Sequence, residues 1–307
     1  MSSETTPSLQ AAGLFRVDGL VAVITGGGTG IGLTMARALA ANGARFVFLL
    51  GRRKEVLETS AASINDIEQR TVAVPVVCDV GDKASIQAAV DSVTATLEAL
   101  PEGNIGVHLV VANAGVVGPA THRYDPVNLT TVQALRQRMF TDVDMAAITD
   151  VFHINVTGAY FTAMAFVELL DLGNKTAHAN TQTQVLVTAS ISAFMRGPPS
   201  APAYAGSKAA ILQMTKQLAA MLAPYRIRAN ALAPGLFPSE LAAGLIGSRD
   251  PSTENWDHPA FIPARRFGSD AEVAGMVLYL ASAAGGFCNG TTLLVDGGRT
   301  AVTTGNI

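Results

Sequence analysis

Two side chains in the second half of the sequence have the chemistry and the spacing to move a proton. Tyr204 and Lys208 lie four positions apart in the stretch YAGSK, inside a predicted helix, so both project from one helical face. A free tyrosine titrates at about pH 10, and a nearby ammonium favours the phenolate and lowers the pKa. The pair indicates general acid–base catalysis by Tyr204, although this spacing also occurs in ordinary helices.

A glycine-rich turn at residues 25–32 reads TGGGTGIG and lies between a predicted strand and a predicted helix. Glycines let the backbone turn sharply and approach a ligand closely. The first turn of the helix offers free N–H groups and the positive end of the helix dipole, which suit a pyrophosphate. The spacing differs from the G-x-G-x-x-G fingerprint, and a tight turn without a ligand is the alternative. The expected contacts are Thr25, Gly26, Gly28, Thr29, Gly30, Ile31 and Gly32.

Apolar, β-branched runs that alternate with amphipathic stretches must position these residues. The runs at 20–25, 45–50, 72–78, 107–112, 185–189, 228–232 and 292–295 predict strands, and the stretches at 31–41, 54–69, 83–100, 148–170, 205–223 and 271–283 predict helices. This alternation predicts an α/β fold, a Rossmann-type doubly wound parallel sheet of about seven strands with helices on both faces. We expect one catalytic domain over residues 16–307, after a flexible segment at 1–15.

Two stretches without clear periodicity, 116–149 and 236–268, follow predicted strands. We expect both at the carboxyl edge of the sheet, where ligands bind in open α/β folds, with 236–268 as the substrate loop. The candidate lining is Phe194, Met195, Leu236, Phe237, Leu241, Leu245, Trp256 and Phe261. These mostly apolar residues favour a ketone or alcohol on a hydrophobic, ring-containing skeleton. Packing of a lid or a subunit interface is the alternative, and no cationic cluster predicts a phosphate- or carboxylate-bearing substrate.

The composition excludes several function classes. Hydrophobic residues make up 49% of the chain and charged residues 15%, and the net charge is −3. No cationic run exceeds three residues, so no nucleic-acid partner is expected, and no apolar run is long enough to predict a membrane span. Cys78 and Cys288 suggest neither a disulfide framework nor a metal site. The polar N-terminus lacks a signal-peptide pattern, and a reducing, cytoplasmic setting is expected.

Taken in order along the chain, these motifs resemble the classical short-chain dehydrogenases/reductases. The resemblance runs from about residue 20 to residue 298 and rests on the glycine turn, Asp79-Val80, Asn113-Ala114-Gly115, Asn155, Tyr204-x-x-x-Lys208, Pro234-Gly235 and the VDGG at 295–298. It implies an oxidoreductase that moves a hydride between a nicotinamide cofactor and a small-molecule carbonyl/alcohol pair, with Tyr204 as proton donor or acceptor. It also implies a homo-oligomer, a dimer or a tetramer.

The resemblance implies further catalytic residues. The serine of the family usually lies thirteen residues before the tyrosine, but position 191 is isoleucine. Ser190 directly ends a predicted strand and is expected to hydrogen-bond the substrate carbonyl, with Ser192 as the alternative. Asn155 is expected to hold a water that connects Lys208 to solvent. Dehydration, epimerisation or ring chemistry on the same fold, and a catalytically silent NADP-binding regulator, remain alternative functions.

The cofactor is predicted from the end of the second strand, which reads Gly51-Arg52-Arg53-Lys54. A NAD enzyme usually places an acid there to bind the ribose 2′-hydroxyl. Arginines instead suit a 2′-phosphate, so NADP(H) is expected, and a solvated basic helix start is the alternative. By resemblance, Asp79 meets the adenine amino group and the segment 113–115 lines the adenosine side. The other implied contacts are Val80, Asn113, Ala114, Gly115, Pro234, Gly235, Leu236, Phe237 and Ser239, besides Tyr204 and Lys208.

Overall fold

Seven parallel strands form a single sheet in the order β3-β2-β1-β4-β5-β6-β7. The computed structural model describes residues 9–103, 105–119, 129–176, 181–196 and 201–303. The strands are β1 (Val21–Thr25), β2 (Phe46–Gly51), β3 (Ala73–Val77), β4 (Leu109–Ala112), β5 (Gln184–Thr188), β6 (Arg228–Pro234) and β7 (Thr292–Val295).

Helices cover both faces of this sheet. They are α1 (Ala11–Leu14), α2 (Gly30–Ala41), α3 (Lys54–Glu68), α4 (Lys83–Glu98), α5 (Val132–Arg136), α6 (Met145–Phe152), α7 (Ala159–Ala165), α8 (Val167–Lys175), α9 (Pro202–Leu222), α10 (Ala243–Ile246), α11 (Asp270–Ala281) and α12 (Arg299–Val302). Helices α2, α3 and α11 pack on one face, and α4, α7, α8 and α9 pack on the other.

Neighbouring residues of a strand face opposite sides of the sheet, and both sides are buried. In β1, Val21 and Val23 belong to the core under α4 and α9, whereas Ala22 and Ile24 belong to the core under α2 and α11. Both sets of positions must be apolar, which explains the nearly continuous apolar runs in the sequence. The predicted fold, a doubly wound parallel sheet of seven strands with helices on both faces, is confirmed.

The register of the strands brings their carboxyl ends to one edge. Ile24 pairs with Val111, and Thr188 pairs with Leu232. Because the sheet grows from β1 towards β3 on one side and through β4 towards β7 on the other, a crevice opens between the loops after β1 and β4. Ligands of open α/β sheets bind in such a crevice.

The predicted helix over 148–170 is interrupted in the structure. It divides into α6, a π-helical turn at His153–Gly158, α7 and α8, with a second break at Phe166. The sequence pattern did not reveal the π-helical turn, in which Asn155 hydrogen-bonds the carbonyl of Val116, 39 positions away in the chain.

The stretches expected to be irregular contain short helical elements. The first contains α5, a π-helical turn at Gln137–Thr141 and the start of α6, while residues 120–128 lie outside the described residues. The substrate-loop stretch contains one helical turn, α10. Of the predicted N-terminal segment, residues 1–8 lie outside the described residues, and α1 forms one turn within the rest.

Candidate active site

A cavity of about 980 Å³ runs along the carboxyl edge of the sheet, and the loops after β1 to β6 all contribute to it. Most predicted site residues line it: Gly26, Gly28, Thr29, Gly30, Ile31, Gly32, Arg52, Arg53, Asp79, Val80, Asn113, Ala114, Gly115, Ser190, Tyr204, Lys208, Pro234, Gly235, Leu236, Phe237 and Ser239. Thr25 and Asn155 are buried and do not form part of the lining. They act on lining residues through hydrogen bonds.

Tyr204 and Ser190 meet at the cavity wall. Both residues line the cavity, although fourteen positions separate them in the chain, and Ser190 acts to lower the pKa of the Tyr204 phenol. Ser190 caps the short helical turn Ile191–Ala193, and its Oγ accepts a hydrogen bond from the backbone N–H of Ser192 at 3.1 Å. This cap holds the Ser190 hydroxyl in place. Ser192 also lines the cavity, but no hydrogen bond joins it to Tyr204 among the described residues.

Burial dominates the electrostatics of the Tyr204–Lys208 pair. It raises the pKa of Tyr204 above its ordinary value, and the hydrogen bond from Ser190 partly offsets that rise. Burial also lowers the pKa of Lys208 to about 8. The Lys208 Nζ lies 5.7 Å from the Tyr204 ring centroid and donates a hydrogen bond to the carbonyl of Thr188 at 2.7 Å. The net direction for Tyr204 is thus opposite to the lowering predicted from Lys208 alone.

Asn155 connects the loop after β4 to helix α9. Its Nδ2 donates to the carbonyl of Val116 at 2.9 Å and to Ser207 Oγ at 3.0 Å, and its Oδ1 accepts from the Val116 N–H at 2.8 Å. Ser207 Oγ in turn donates to the Tyr204 carbonyl at 2.7 Å. A Cβ added at Gly115 would lie 3.5 Å from Lys208 Nζ, so the braced loop runs directly past the lysine. Sequence reasoning did not find the part that Ser207 and Val116 play here.

The glycine turn is packed too closely against neighbouring protein atoms to accept larger side chains. Gly26 and Gly30 have φ of 66° and 51°, values that L side chains rarely adopt. A Cβ on Gly32 would lie 2.2 Å from the Gly26 carbonyl oxygen. Thr29 precedes the first residue of α2, so the free N–H groups of that helix face the cavity edge, where an anion can bind.

Thr25 and Asn113 tie the loops after β1 and β4 together. The Thr25 Oγ1 accepts hydrogen bonds from the N–H groups of Asn113 and Ala114 at 2.9 and 3.0 Å. The Asn113 Nδ2 donates to the Thr25 carbonyl at 3.0 Å. These bonds hold the walls of the crevice at a set separation.

Charged residues surround the far end of the crevice beside β2. Arg52 and Arg53 are exposed and line the cavity, and Asp79 accepts the Gly81 N–H at 2.9 Å. Arg53 forms an ion pair of 2.9 Å with Glu240. The sequence showed no acid near the arginines, because Glu240 lies 187 positions further along the chain.

The substrate side differs in part from the prediction. Met195, Leu236, Phe237, Leu241 and Leu245 line the cavity, but Phe194, Trp256 and Phe261 do not, and Trp256 is 81% exposed. Three further residues, Arg249, His258 and Arg299, line it as well. The sequence did not show that these residues share the cavity, because Arg299 lies 50 positions after Arg249 in the chain.

Comparison with known proteins identifies the family. The chain is 43% identical over 281 residues to the short-chain dehydrogenase/reductase SAT3 of Stachybotrys chartarum, covering 87% of this chain and 98% of that protein. The chain belongs to the short-chain dehydrogenase/reductase family. A family model described as enoyl-(acyl carrier protein) reductase matches residues 26–300. The resemblance inferred from the motifs is confirmed.

Two further comparisons cover nearly the whole chain. The short-chain dehydrogenase/reductase PhomF of Diaporthe leptostromiformis is 41% identical over 305 residues, covering 99% of both chains. A crystal structure of a gluconate 5-dehydrogenase from Burkholderia cenocepacia, in complex with NADP and tartrate, matches with a TM-score of 0.73 and 31% identity over 95% of this chain and 99% of that one. This dehydrogenase/reductase is thus an oxidoreductase of a family that uses nicotinamide cofactors on small molecules.

Among the described residues, no single helix is long and apolar enough to cross a membrane, while α6 to α8 meet that test only as a bent pair. The described residues contain no group of three or more His, Cys, Asp or Glu side chains arranged to hold a metal ion.

Proposed function

We propose that this dehydrogenase/reductase transfers a hydride between NADP(H) and the carbonyl/alcohol pair of a small molecule, with Tyr204 as the acid/base. The observation that carries the proposal is that Ser190, Tyr204 and Lys208 line one cavity together with the glycine turn. A proton donor, a hydroxyl that can bind the carbonyl oxygen and a phosphate cradle thereby share one space.

The residues present fit a nicotinamide dinucleotide carrying a 2′-phosphate. Gly26, Gly30 and Gly32 let this turn pack closely against its own backbone and its neighbours, and the turn lies beside the N-terminus of α2, whose free N–H groups suit a phosphate. Arg52 and Arg53, at the end of β2, supply guanidinium groups that match phosphate geometry. When bound, the nicotinamide supplies or accepts the hydride.

The side chains then handle the proton. In the direction of reduction, the Tyr204 hydroxyl donates its proton to the substrate oxygen as the carbonyl carbon is reduced, and Ser190 hydrogen-bonds the same oxygen. Burial favours the neutral phenol, so Tyr204 carries its transferable proton before the reaction. The Ser190 hydrogen bond and the Lys208 ammonium stabilise the phenolate left behind. Asn155 keeps the loop at Gly115 and Val116 in place beside Lys208.

The direct test is the nicotinamide absorbance change with NADPH and a panel of ketones, aldehydes and quinones, each run in parallel with an α,β-unsaturated thioester. Reduction of a carbonyl supports the proposal. Reduction of the carbon–carbon double bond alone would contradict the proposal and favour other ring or double-bond chemistry. Cofactor binding without any turnover would contradict it and favour a silent regulator.

We further propose that residues 236–268 act as the substrate loop and that the chain forms a homo-oligomer in the cytoplasm. The loop supplies Leu236, Leu241 and Leu245 to the cavity. Leu294 in the edge strand β7 and Phe287 in the segment before it are exposed apolar side chains, which supports a subunit contact on this side of the molecule. The free thiols of Cys78 and Cys288 suit a reducing compartment. A molar mass in solution equal to that of one chain, measured by light scattering, would contradict the proposed homo-oligomer.

A further inference from the structure

The substrate end of the cavity contains a cationic corner made of Arg249, His258 and Arg299. Arg299 begins α12 directly after the turn at Gly297 and Gly298, which both have positive φ. Arg249 and His258 come from the proposed substrate loop. The three side chains line the cavity from two regions of the chain, the proposed substrate loop and the start of α12.

Arg299 is buried without the partners that a buried guanidinium normally has. It is 7% exposed, its Nε is buried without a hydrogen bond, and its side chain forms no hydrogen bond or ion pair with any described residue. Arg228, which is 3% exposed, shows the usual solution: its guanidinium donates to the carbonyls of Gln182, Leu280, Gly285 and Cys288. An unpaired buried charge costs free energy that a bound counter-ion recovers.

The acids nearest to Arg299 are already used by other groups. Glu254 receives two hydrogen bonds from Arg249, at 2.7 and 3.0 Å. The Asp296 carboxylate accepts the N–H groups of Gly298 and Thr300 at 2.9 and 2.7 Å. Burial, and then the charge of Arg249, lowers the pKa of Arg299, and the attraction of Glu254 and Asp296 does not offset these effects. Among the described residues, Glu254 and Asp296 attract Arg299 but neither forms an ion pair or a hydrogen bond with its guanidinium.

His258 adds a hydrogen-bond donor to the corner. Its Nδ1 accepts the Ala260 N–H at 3.2 Å and lies 3.8 Å from Glu254. With Nδ1 accepting, Nε2 carries the ring proton and is able to donate to an oxygen in the cavity.

We propose that Arg299, assisted by Arg249 and His258, binds a carboxylate carried by the substrate, so that the enzyme acts on keto acids or hydroxy acids whose remaining surface is apolar. The inference rests on the proposed function, since it assumes that the substrate occupies this cavity. The apolar wall formed by Leu241 and Leu245 faces the rest of the substrate. An arginine fork suits a carboxylate because it can form two parallel hydrogen bonds.

The test compares an acid with its neutral analogue. A panel of keto acids and their primary amides is assayed with NADPH on the wild type, Arg299→Met, Arg299→Lys and Arg37→Met. Arg37 is exposed on α2, outside the cavity lining, so its loss changes net charge equally. We expect the wild type to prefer acids, and Arg299→Met to raise KM for acids about 10- to 100-fold with amides unchanged. Arg299→Lys should recover part of the preference, and Arg37→Met should retain all of it.

A binding measurement keeps this proposal separate from the chemistry. The NADP⁺-loaded wild type, Arg299→Met and Arg299→Lys are titrated calorimetrically with benzoate and with benzamide. Arg299-dependent binding of benzoate supports the carboxylate subsite even if no carbonyl is reduced, in which case only the proposed function fails.

Equal binding of benzoate and benzamide by the wild type overturns the subsite, whether or not ketones turn over. A loss of NADPH affinity in Arg299→Met, measured by fluorescence, also overturns it, because the anion would then belong to the cofactor. If Arg299→Met does not fold, the difference between benzoate and benzamide binding in the wild type and in Arg299→Lys tests the carboxylate subsite.

Discussion

The Arg53 guanidinium lies 2.9 Å from the Glu240 carboxylate and so joins the end of β2 to the segment after β6. Both side chains are more than half exposed, at 58% and 66%, so the ion pair itself contributes little to stability. Both also line the cavity. A cofactor phosphate at this end of the crevice competes with Glu240 for Arg53.

Replacement of Glu240 should therefore strengthen NADPH binding. In Glu240→Gln the acceptor loses its charge and Arg53 becomes available to the phosphate, so we expect the NADPH Kd to fall about two- to fivefold, a change of under 1 kcal/mol. The NADH Kd should stay the same because NADH has no phosphate at this point. Fluorescence titration of both cofactors measures the effect. An equal change for both would show that Glu240 acts on loop position and not on the phosphate.

Removal of Arg52 should weaken NADPH binding more than removal of Arg53. Arg52 forms no ion pair with a described residue, whereas Arg53 is already engaged by Glu240. A charged hydrogen bond to phosphate is worth about 1.5–3 kcal/mol, so Arg52→Ala should raise the NADPH Kd by about one to two decades and leave that of NADH unchanged. Added salt should reduce the preference of the wild type. Equal wild-type affinities for both cofactors would mean that the arginines are only a solvated helix start.

Loss of the Tyr204 hydroxyl should abolish turnover without loss of cofactor binding. Tyr204→Phe keeps the ring and removes the transferable proton, so kcat should fall by about 10²–10⁴-fold. Tyr225→Phe, at an exposed tyrosine, is the matched control and should keep full activity. Retention of more than about a tenth of wild-type kcat in Tyr204→Phe is incompatible with the acid/base role.

Ser190→Ala should reduce kcat far more than Ser192→Ala. The Ser190 side chain acts on the Tyr204 phenol, whereas the interaction that Ser192 makes is through a backbone N–H that alanine retains. Steady-state kinetics of both variants on one ketone decide between them. A larger loss at Ser192 would reverse the assignment.

The buried ammonium of Lys208 should make stability increase with pH. Burial lowers its pKa to about 8 from the ordinary 10.5, so between these values the unfolded chain binds more protons than the folded one. The free energy of unfolding therefore rises as pH increases through this window, and the cost of the buried charge is fully present below about pH 8.

Comparison with Lys208→Met isolates this effect. The wild type should gain about 2 kcal/mol relative to the variant between pH 7 and pH 10, as read from urea unfolding at both values. The Cys78 thiol, whose pKa burial raises to about 11, titrates in both proteins and cancels. An unchanged difference between the two proteins across this range would show that Lys208 is not desolvated.

The sequence alone predicted the fold from local signals, and its motifs, by resemblance, predicted the family and the candidate residues around Tyr204. Apolar runs of strand length, glycines at a strand–helix turn and the i, i+4 spacing of Tyr204 and Lys208 all express their physics within a few residues. The helix at 148–170 was predicted, but its π-helical turn and the hydrogen bond that Asn155 in this turn makes with Val116, 39 positions away, were not.

The tertiary structure decided which charges meet. Glu240 reaches Arg53, and Arg249 and His258 reach Arg299, only because the loop after β6 folds over the carboxyl edge of the sheet. The tertiary structure also decided which groups are buried. The raised pKa of Tyr204 and the lowered pKa of Lys208 follow from the surrounding core and not from the spacing of the two residues. Charge pairing and desolvation depend on distances between atoms far apart in the chain, and a linear pattern of residue types does not contain those distances.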